Sequence, residues 1–133
     1  MNRRRFLRRA AWIGGALGLG PAVVLGRSIE TPAARQARHI AGIFSRPLSA
    51  ARVGRAYLRA RPDEASPERL IAALAAGWPG GAARIERLSH ARLRRRLRRT
   101  IRTDFAAGRT VTVQGWILAE SEARLFGLTT LTA

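Results

Sequence analysis

Four charged residues near the end of the chain could take part in chemistry if the fold brings them together. They flank Trp116 and are, in chain order, Asp104, Arg109, Glu122 and Arg124. Two carboxylates can divide general acid and general base roles, and guanidinium groups can stabilise developing negative charge. Because no nucleophile motif accompanies them, we interpret them as ion pairs that organise the turn at Gly115. Trp and Arg are also common interface anchors, so the same residues can mark a docking surface.

A second acidic set lies earlier in the chain, at Asp63, Glu64 and Glu68. These residues could be proposed as paired catalytic carboxylates. However, Ser66 followed by Pro67 is typical of a helix start, where acidic side chains interact with the positive end of the helix dipole. We therefore assign the set to helix capping, and we predict a protein without catalytic activity.

The sequence contains little evidence of a metal site or a cofactor site. His39 and His90 lie on separate segments, and neither has a second ligand at helical or turn spacing. The chain has no cysteine, which excludes a disulfide, a thiolate metal site and a cysteine nucleophile. The glycine-rich stretch GALGLG lacks the preceding strand and following acid of a dinucleotide-binding loop. We predict no cofactor.

The elements that must position these residues are predicted to be helices and one hairpin. Apolar residues recur at helical spacing before Pro62, between Ser66 and Gly77, over 82–103 and after Glu120. The alternation in TVTV and the apolar WIL after a glycine predict a short extended or hairpin segment near residues 109–118. We expect a mainly α fold: a small bundle of three to four helices with this segment, preceded by an N-terminal signal helix.

The last part of the chain is expected to supply much of the core. We predict that Trp116 and three apolar residues of the closing helix pack onto the Tyr57–Leu58 and Leu97–Ile101 faces. The three residues are Leu125, Phe126 and Leu128. A pair of short strands is marginal unless helices cover it, so the hairpin depends on this packing.

The predicted helix over 82–103 is the most basic part of the chain. Its candidate contacts for an anionic surface are Arg92, Arg94, Arg95, Arg96, Arg98 and Arg99. They could contact anionic lipid head groups or the phosphates of a nucleic acid. They could equally form a solvated helix face whose side-chain stems cover the edge of the core.

The charge of the whole chain is unusual for 133 residues, a length that allows one domain. There are 25 basic residues against 8 acidic ones, a formal charge of +17, and every basic residue is arginine. Such a charge indicates either an anionic partner or the arginine and alanine bias of a GC-rich genome. The first 27 residues contain six of the arginines and no acid.

The opening residues indicate export. An uncharged run over 10–26 follows a basic head and is at the short limit for a membrane span. The head, NRRRFLRR, resembles the twin-arginine translocation (Tat) signal, and the matching residues are Arg3, Arg4, Phe6 and Leu7. This resemblance implies export of a folded protein by the Tat machinery to the periplasm, which argues against a nucleic-acid partner.

No clean cleavage site follows the uncharged run, so two fates of the signal stay open. Residues 1–27 are either removed as an export signal or kept as an anchor in the inner membrane. Residues 28–46 are expected to form a linker or a short helix, and residues 47–133 a small helical domain.

A second resemblance covers residues 53–128. The order of VGRAYL, PDE, IRTDFAAGRTVTVQGW and ESEARLFGL is similar to small exported proteins of proteobacteria that have no characterised activity. Ala119 departs from that pattern, since a serine there would complete a capping box with Glu122. We expect this departure to weaken the start of the last helix by about 1 kcal/mol.

The predicted function is that of a small accessory protein that binds a folded partner. Because the export route carries folded cargo, the partner could be a co-exported enzyme subunit without its own signal, by analogy with small subunits of exported oxidoreductases. The alternative is a basic helical protein held at an anionic membrane surface by the helix over 82–103 and an uncleaved anchor.

Overall fold

The computed structural model describes residues 29–45 and 47–132. Its helices and strands are, in order, α1 (Pro32–Ala41), α2 (Pro47–Ala60), a 3-10 helix (Pro62–Glu64), α3 (Pro67–Leu74), a second 3-10 helix (Gly81–Arg87), α4 (His90–Ala106), β1 (Thr110–Val113), β2 (Trp116–Ala119) and α5 (Glu120–Thr132). The prediction of a mainly helical fold with a small hairpin is confirmed. The predicted signal helix lies outside the described residues. Within those residues, no helix is both long and apolar enough to cross a bilayer.

Three helices begin at a hydroxyl side chain that accepts a bond from the backbone. Thr31 caps α1, Ser66 caps α3 and Ser89 caps α4, each through the N–H three residues later. The predicted start of α3 at Ser66 and Pro67 is therefore confirmed. Helix α1 belongs to the folded body, because Ala37 and Ile40 are fully buried in the same core as the later helices.

The predicted single helix over 82–103 is in fact two elements. The 3-10 helix Gly81–Arg87 ends at Leu88, whose backbone is extended, and α4 begins after Ser89. Ser89 accepts a hydrogen bond from the Arg92 backbone N–H, which favours a new helix start over a continuous helix. The arginines of the predicted contact surface all fall in α4.

Helix α5 is the centre of the fold and packs most extensively against α2. The two helices touch at Gly54, where an added Cβ would lie 2.0 Å from the Phe126 carbonyl oxygen. Thr130 Oγ1 fastens the contact with a 2.8 Å hydrogen bond to the Ala51 carbonyl oxygen. Leu125 and Leu128 are buried in one core with Tyr57 and other predicted residues, which confirms that part of the expected packing.

The hairpin pairs β1 with β2 in antiparallel register, from Thr110 opposite Ala119 to Val113 opposite Trp116. Gln114 and Gly115 form its two-residue turn with φ values of 50° and 80°, the left-handed backbone of a tight hairpin turn. One face of the hairpin packs on the helical core through Val113. Val113 is the residue next to the turn, and Ala119 is buried at the other end of the hairpin, so the hairpin contacts the helices along its length while Gln114 and Gly115 stay exposed.

Candidate functional site

Asp104 is the carboxylate that connects the end of α4 to the start of α5. Its Oδ1 accepts a 2.9 Å hydrogen bond from Arg109 Nε, and its Oδ2 accepts one of 2.9 Å from the Ser121 backbone N–H. Burial acts to raise the pKa of Asp104, but the hydrogen bonds from Ser121 and Arg109 outweigh it and hold the pKa below its usual value. Asp104 therefore caps α5 from another helix, in place of the cap missing at Ala119.

Arg124 lies in a different network, which is built on Glu64. Arg124 Nε and Nη2 donate to the two Glu64 carboxylate oxygens at 3.0 and 3.1 Å, and the Tyr57 hydroxyl donates to Glu64 at 2.6 Å. The hydrogen bond from Arg124 is the largest cause that lowers the pKa of Glu64. Burial, aided by the nearby carboxylate, raises the pKa of Tyr57. These contacts join α2, the first 3-10 helix and α5.

The assignment of Glu64 to helix capping was therefore wrong. Glu64 ends the 3-10 helix before α3 and binds Arg124, which is 60 residues away in the sequence. The cap of α3 is supplied by Ser66 alone. No local pattern in the sequence could have revealed this long-range pair.

Glu122 stands apart from both networks. Burial raises the pKa of Glu122, and a hydrogen bond from the Ala119 backbone partly opposes this rise. Ala119 and Glu122 stand at the two positions that a capping box would join. The neighbouring Arg124 pairs with Glu64 and Glu120. Asp104 and Arg109 thus form an ion pair as predicted, whereas Arg124 and Glu122 belong to other contacts, and the prediction that all four form one cluster is wrong.

Trp116 lies at the tip of the hairpin and is 70% exposed, and the next residue, Ile117, is 66% exposed. The predictions that Trp116 packs on Tyr57 and that the charged residues surround it are both wrong. Trp116 directly follows the turn and pairs with Val113, and of these two residues it is Val113 that fills the place in the core. The tip, defined as Trp116 and Ile117, carries apolar side chains into solvent on both faces of the hairpin.

The predicted contact residues of α4 lie at the surface. Arg92, Arg94, Arg95, Arg98 and Arg99 are exposed, and Arg96 is half-buried. We call these six residues the arginine face. In the part of the chain that the structure describes, none of them forms an ion pair with a carboxylate. Two make other contacts: Arg94 donates to the Ile43 carbonyl oxygen at 3.3 Å, and Arg96 lies 5.9 Å from the centre of the Trp78 ring.

A cleft of about 430 Å³ lies between the end of α3, helix α4 and the start of α5. Its charged lining residues are Arg96, Arg99, Asp104, Arg109, Glu120 and Arg124. Trp78 forms part of the wall and donates a 3.0 Å hydrogen bond from Nε1 to Thr100 Oγ1. Sequence analysis missed this cleft because Trp78, in the loop after α3, is not near the charged residues in the chain.

The two histidines, separate in sequence, come together in the fold. The ring centroids of His39 and His90 are 4.8 Å apart, and His39 Nε2 donates to the Leu88 carbonyl oxygen at 2.9 Å. Among residues 29–45 and 47–132, no three His, Asp or Glu side chains are grouped in a way that could hold a metal ion. The pair therefore joins α1 to the start of α4.

The predicted export residues Arg3, Arg4, Phe6 and Leu7 lie outside the described residues. Comparisons with protein families, curated proteins and solved structures give no significant match to this chain. The function must therefore be argued from the arginine face, the hairpin tip and the cleft.

Proposed function

We propose that this protein is an exported accessory protein without catalytic activity, which binds a folded partner and assists its export or assembly. The observation that carries the proposal is the exposed hairpin tip. Two large apolar side chains at neighbouring positions are left in water, 70% and 66% exposed, on an element whose base is firmly attached. Trp is strongly favoured as an interface anchor, because it buries a large area at little entropic cost.

The attachment of the hairpin supports a binding role for its tip. Arg109 N–H donates to the Asp104 carbonyl oxygen at 2.9 Å, and Glu120 N–H donates to the Arg109 carbonyl oxygen at 3.1 Å. Together with the Asp104 carboxylate, these bonds hold both ends of the hairpin to α4 and α5. A partner that binds Trp116 therefore meets an ordered element, and little conformational entropy is lost on binding.

The charge of the surface suggests the chemistry of the partner. The arginine face carries six guanidinium groups that no carboxylate of the described residues neutralises. A partner with an acidic surface beside an apolar depression would match the arginine face and the tip together. Electrostatic attraction of this kind accelerates association and selects orientation.

Isolation of the full chain from the periplasm tests the proposal. We expect a protein to co-purify in a fixed ratio with the unchanged chain and to be lost with Trp116→Ala. Ile29→Ser is the matched control, because Ile29 is 93% exposed but lies outside the tip. Recovery of the chain alone, or equal loss of the partner in both variants, would contradict the proposal.

The proposed export has its own test at the opening arginines. Replacing Arg3 and Arg4 together by lysine keeps the charge but removes the arginine pair of the resembled signal. We expect the variant to accumulate in the cytoplasm, as followed by cell fractionation and immunoblotting. Arg8→Lys and Arg9→Lys together provide the control, since they lie outside the pair. Unchanged export of the first variant would remove the basis for a periplasmic partner.

The unpaired arginines favour one second candidate, a protein held at an anionic membrane surface by α4. Vesicles of phosphatidylcholine with and without phosphatidylglycerol, mixed with the full chain and floated over a salt series, would test it. Binding that needs the anionic lipid and weakens with salt would support this candidate. Equal flotation with both vesicles would assign the contact to the apolar opening segment instead.

A further inference from the structure

The cleft beside Trp78 contains two arginines whose charge is not used within the described chain. Arg109 pairs with Asp104, and Arg124 pairs with Glu64 and Glu120. The carboxylates that line the cleft are therefore already engaged. Arg96 and Arg99, in contrast, have no carboxylate partner among the described residues, so the cleft is left with an excess of positive charge.

The spacing of these two arginines suits one anion. Arg96 and Arg99 are three residues apart on α4, and side chains at this spacing are neighbours on one helix face. Both line the same cleft. A guanidinium group presents a planar fork of N–H donors that matches the oxygens of a phosphate or a carboxylate. Two such forks over one cavity can hold a group with three or more oxygens.

A buried hydroxyl adds a third donor to this cleft. Ser121 lines the cleft and is 2% exposed, yet its Oγ makes no hydrogen bond of ordinary geometry within the described residues. A buried polar atom without a hydrogen-bond partner is unfavourable, so a ligand oxygen that accepts from it would be stabilised. The backbone N–H of Ser121 is already bonded to Asp104, and the Ser121 hydroxyl lies near enough to this carboxylate to help lower its pKa, so the hydroxyl can turn from Asp104 to an anion in the cleft.

We propose that this cleft is a binding site for the phosphoryl group of a small phosphate monoester. Arg96 and Arg99 neutralise the two negative charges of the group, and Ser121 Oγ donates a hydrogen bond to it. The volume of about 430 Å³ exceeds what a bare phosphate needs and lies in the range of small-molecule sites. Trp78, Ala73 and Leu74 line the remaining wall and can contact the organic part of the ester.

Titration of the ¹⁵N-labelled full chain with phenyl phosphate tests the site. The Trp78 indole N–H lies in the cleft, whereas the Trp116 indole lies at the hairpin tip and serves as an internal reference. We expect the Trp78 indole resonance to shift in a saturable manner while that of Trp116 stays unchanged. Absence of a saturable shift at Trp78 with every phosphate ester tested would overturn the proposal.

Matched variants separate the site from the general charge of the protein. Arg96→Gln with Arg99→Gln should weaken phenyl phosphate binding by about tenfold or more, and Ser121→Ala by about threefold. Arg95→Gln with Arg98→Gln removes the same charge from the same helix outside the cleft, and should weaken binding less than about twofold. Equal weakening by both double variants would overturn the proposal in favour of non-specific attraction. If the first double variant does not fold, the exposed Arg99→Gln alone serves instead.

Titrations with two further ligands identify the chemistry of the bound group and the kind of molecule that carries it. Benzoate that binds as tightly as phenyl phosphate would overturn the assignment to a phosphoryl group. Vesicles containing phosphatidic acid present the same monoester on a lipid, so a Trp78 shift with vesicles alone would assign a lipid head group. A shift with phenyl phosphate in solution assigns a free ester. The site does not depend on the hairpin tip, so either proposal can fail without the other.

Discussion

The Glu64–Arg124 contact and the arginine face of α4 use the same charged group in opposite ways. Arg124 is largely buried, donates two hydrogen bonds to one carboxylate and joins α5 to the first 3-10 helix. The arginines of the arginine face have no such partner in the described chain, and most of them extend into solvent. The acidic residues of this basic protein are thus concentrated at contacts between its elements.

This difference separates structural charge from charge that is free to bind. A buried charge that loses its partner is strongly destabilising, whereas an exposed charge contributes little to stability. The pairs at Glu64 and Asp104 should therefore govern folding, and the arginine face should govern recognition. Each region can be changed by substitution while the other stays intact.

The largest effect is expected at the α2–α5 contact, which carries Tyr57 and Arg124 into the Glu64 network. Gly54→Ala places a Cβ 2.0 Å from the Phe126 carbonyl oxygen and 2.4 Å from Thr130 Oγ1. Because backbone atoms cannot move aside locally, we expect the free energy of unfolding to fall by about 3 kcal/mol or more. Urea denaturation followed by circular dichroism measures the change.

Gly77→Ala is the matched control for this substitution. A Cβ at Gly77 would meet no other atom within 4 Å, and its backbone does not require glycine. We expect its effect on the free energy of unfolding to stay below about 0.5 kcal/mol. Similar losses in both variants would show that helix contact at Gly54 is not what holds the two regions in place.

Glu64→Gln should have the next largest effect. The substitution leaves Arg124 largely buried without its main carboxylate, and about 2 kcal/mol of stability should be lost. The control is Glu86→Gln, because Glu86 pairs with Arg35 at 3.0 Å while both side chains stay well exposed. A loss of no more than about 0.5 kcal/mol is expected there. Equal losses by urea denaturation would erase the distinction between paired and free charge.

The dependence of stability on pH sharpens the same distinction. The pKa of Glu64 is lower in the folded protein than its ordinary value of 4.5, so the pair contributes fully above that pH. Its contribution is lost as the pH falls through the folded pKa. The lowered pKa of Asp104, relative to an ordinary 3.8, acts in the same direction. We expect the free energy of unfolding to fall between about pH 5 and pH 3.

Two variants test which carboxylates are responsible. In Glu64→Gln, the free energy of unfolding should fall less between about pH 5 and pH 3 than it does in the unchanged protein. Burial raises the pKa of Glu122, so its ionised form is disfavoured in the fold and its contribution to stability is lost as the pH rises. Glu122→Gln should accordingly raise stability near neutral pH. If the free energy of unfolding of Glu64→Gln falls as steeply with acid as that of the unchanged protein, other groups are responsible for the fall.

A smaller gain is expected at the hairpin turn. Gln114 holds a φ of 50°, a left-handed backbone that asparagine adopts more readily than glutamine. Gln114→Asn should raise the thermal midpoint, with a gain in stability of about 0.5 kcal/mol. Thr112→Asn, on the same hairpin but in a strand, should give no gain. The reverse order of midpoints would contradict the turn assignment.

The smallest effect is expected on the arginine face itself. Arg95→Gln with Arg98→Gln removes two exposed charges and no ion pair, so the free energy of unfolding should change by less than about 0.5 kcal/mol. Chemical denaturation in low and high salt measures it. A loss as large as that of Glu64→Gln would show that the arginine face is structural after all.

The elements of this fold could be predicted from local patterns, but their connections could not. The cap at Ser66, the hairpin and the apolar faces of α2 and α5 follow from spacing within one element. The Glu64–Arg124 pair depends on how α5 crosses the earlier helices, which no periodicity describes. The same holds for Gly54, whose importance comes from an approach of two backbones.

The candidate site was predictable in its residue types and not in its geometry. Sequence neighbours of Trp116 were expected to surround it, yet strand pairing carries Trp116 away from Asp104 and Glu122. The alanine at position 119 predicts an absent cap, and the structure supplies the cap from another helix through Asp104. The cleft at Trp78 required three elements, so it emerged only from their packing.

The fastening of the hairpin at Asp104 has a consequence for engineering. The Asp104 side chain connects the end of α4 directly to the start of α5, so this junction does not pass through the two strands between them. Gln114 and Gly115 are both exposed, so extra residues inserted between them should extend into solvent while the neighbouring Val113 stays in the core. The turn is thus a natural place for a fluorophore or an epitope that reports on whatever approaches the molecule there.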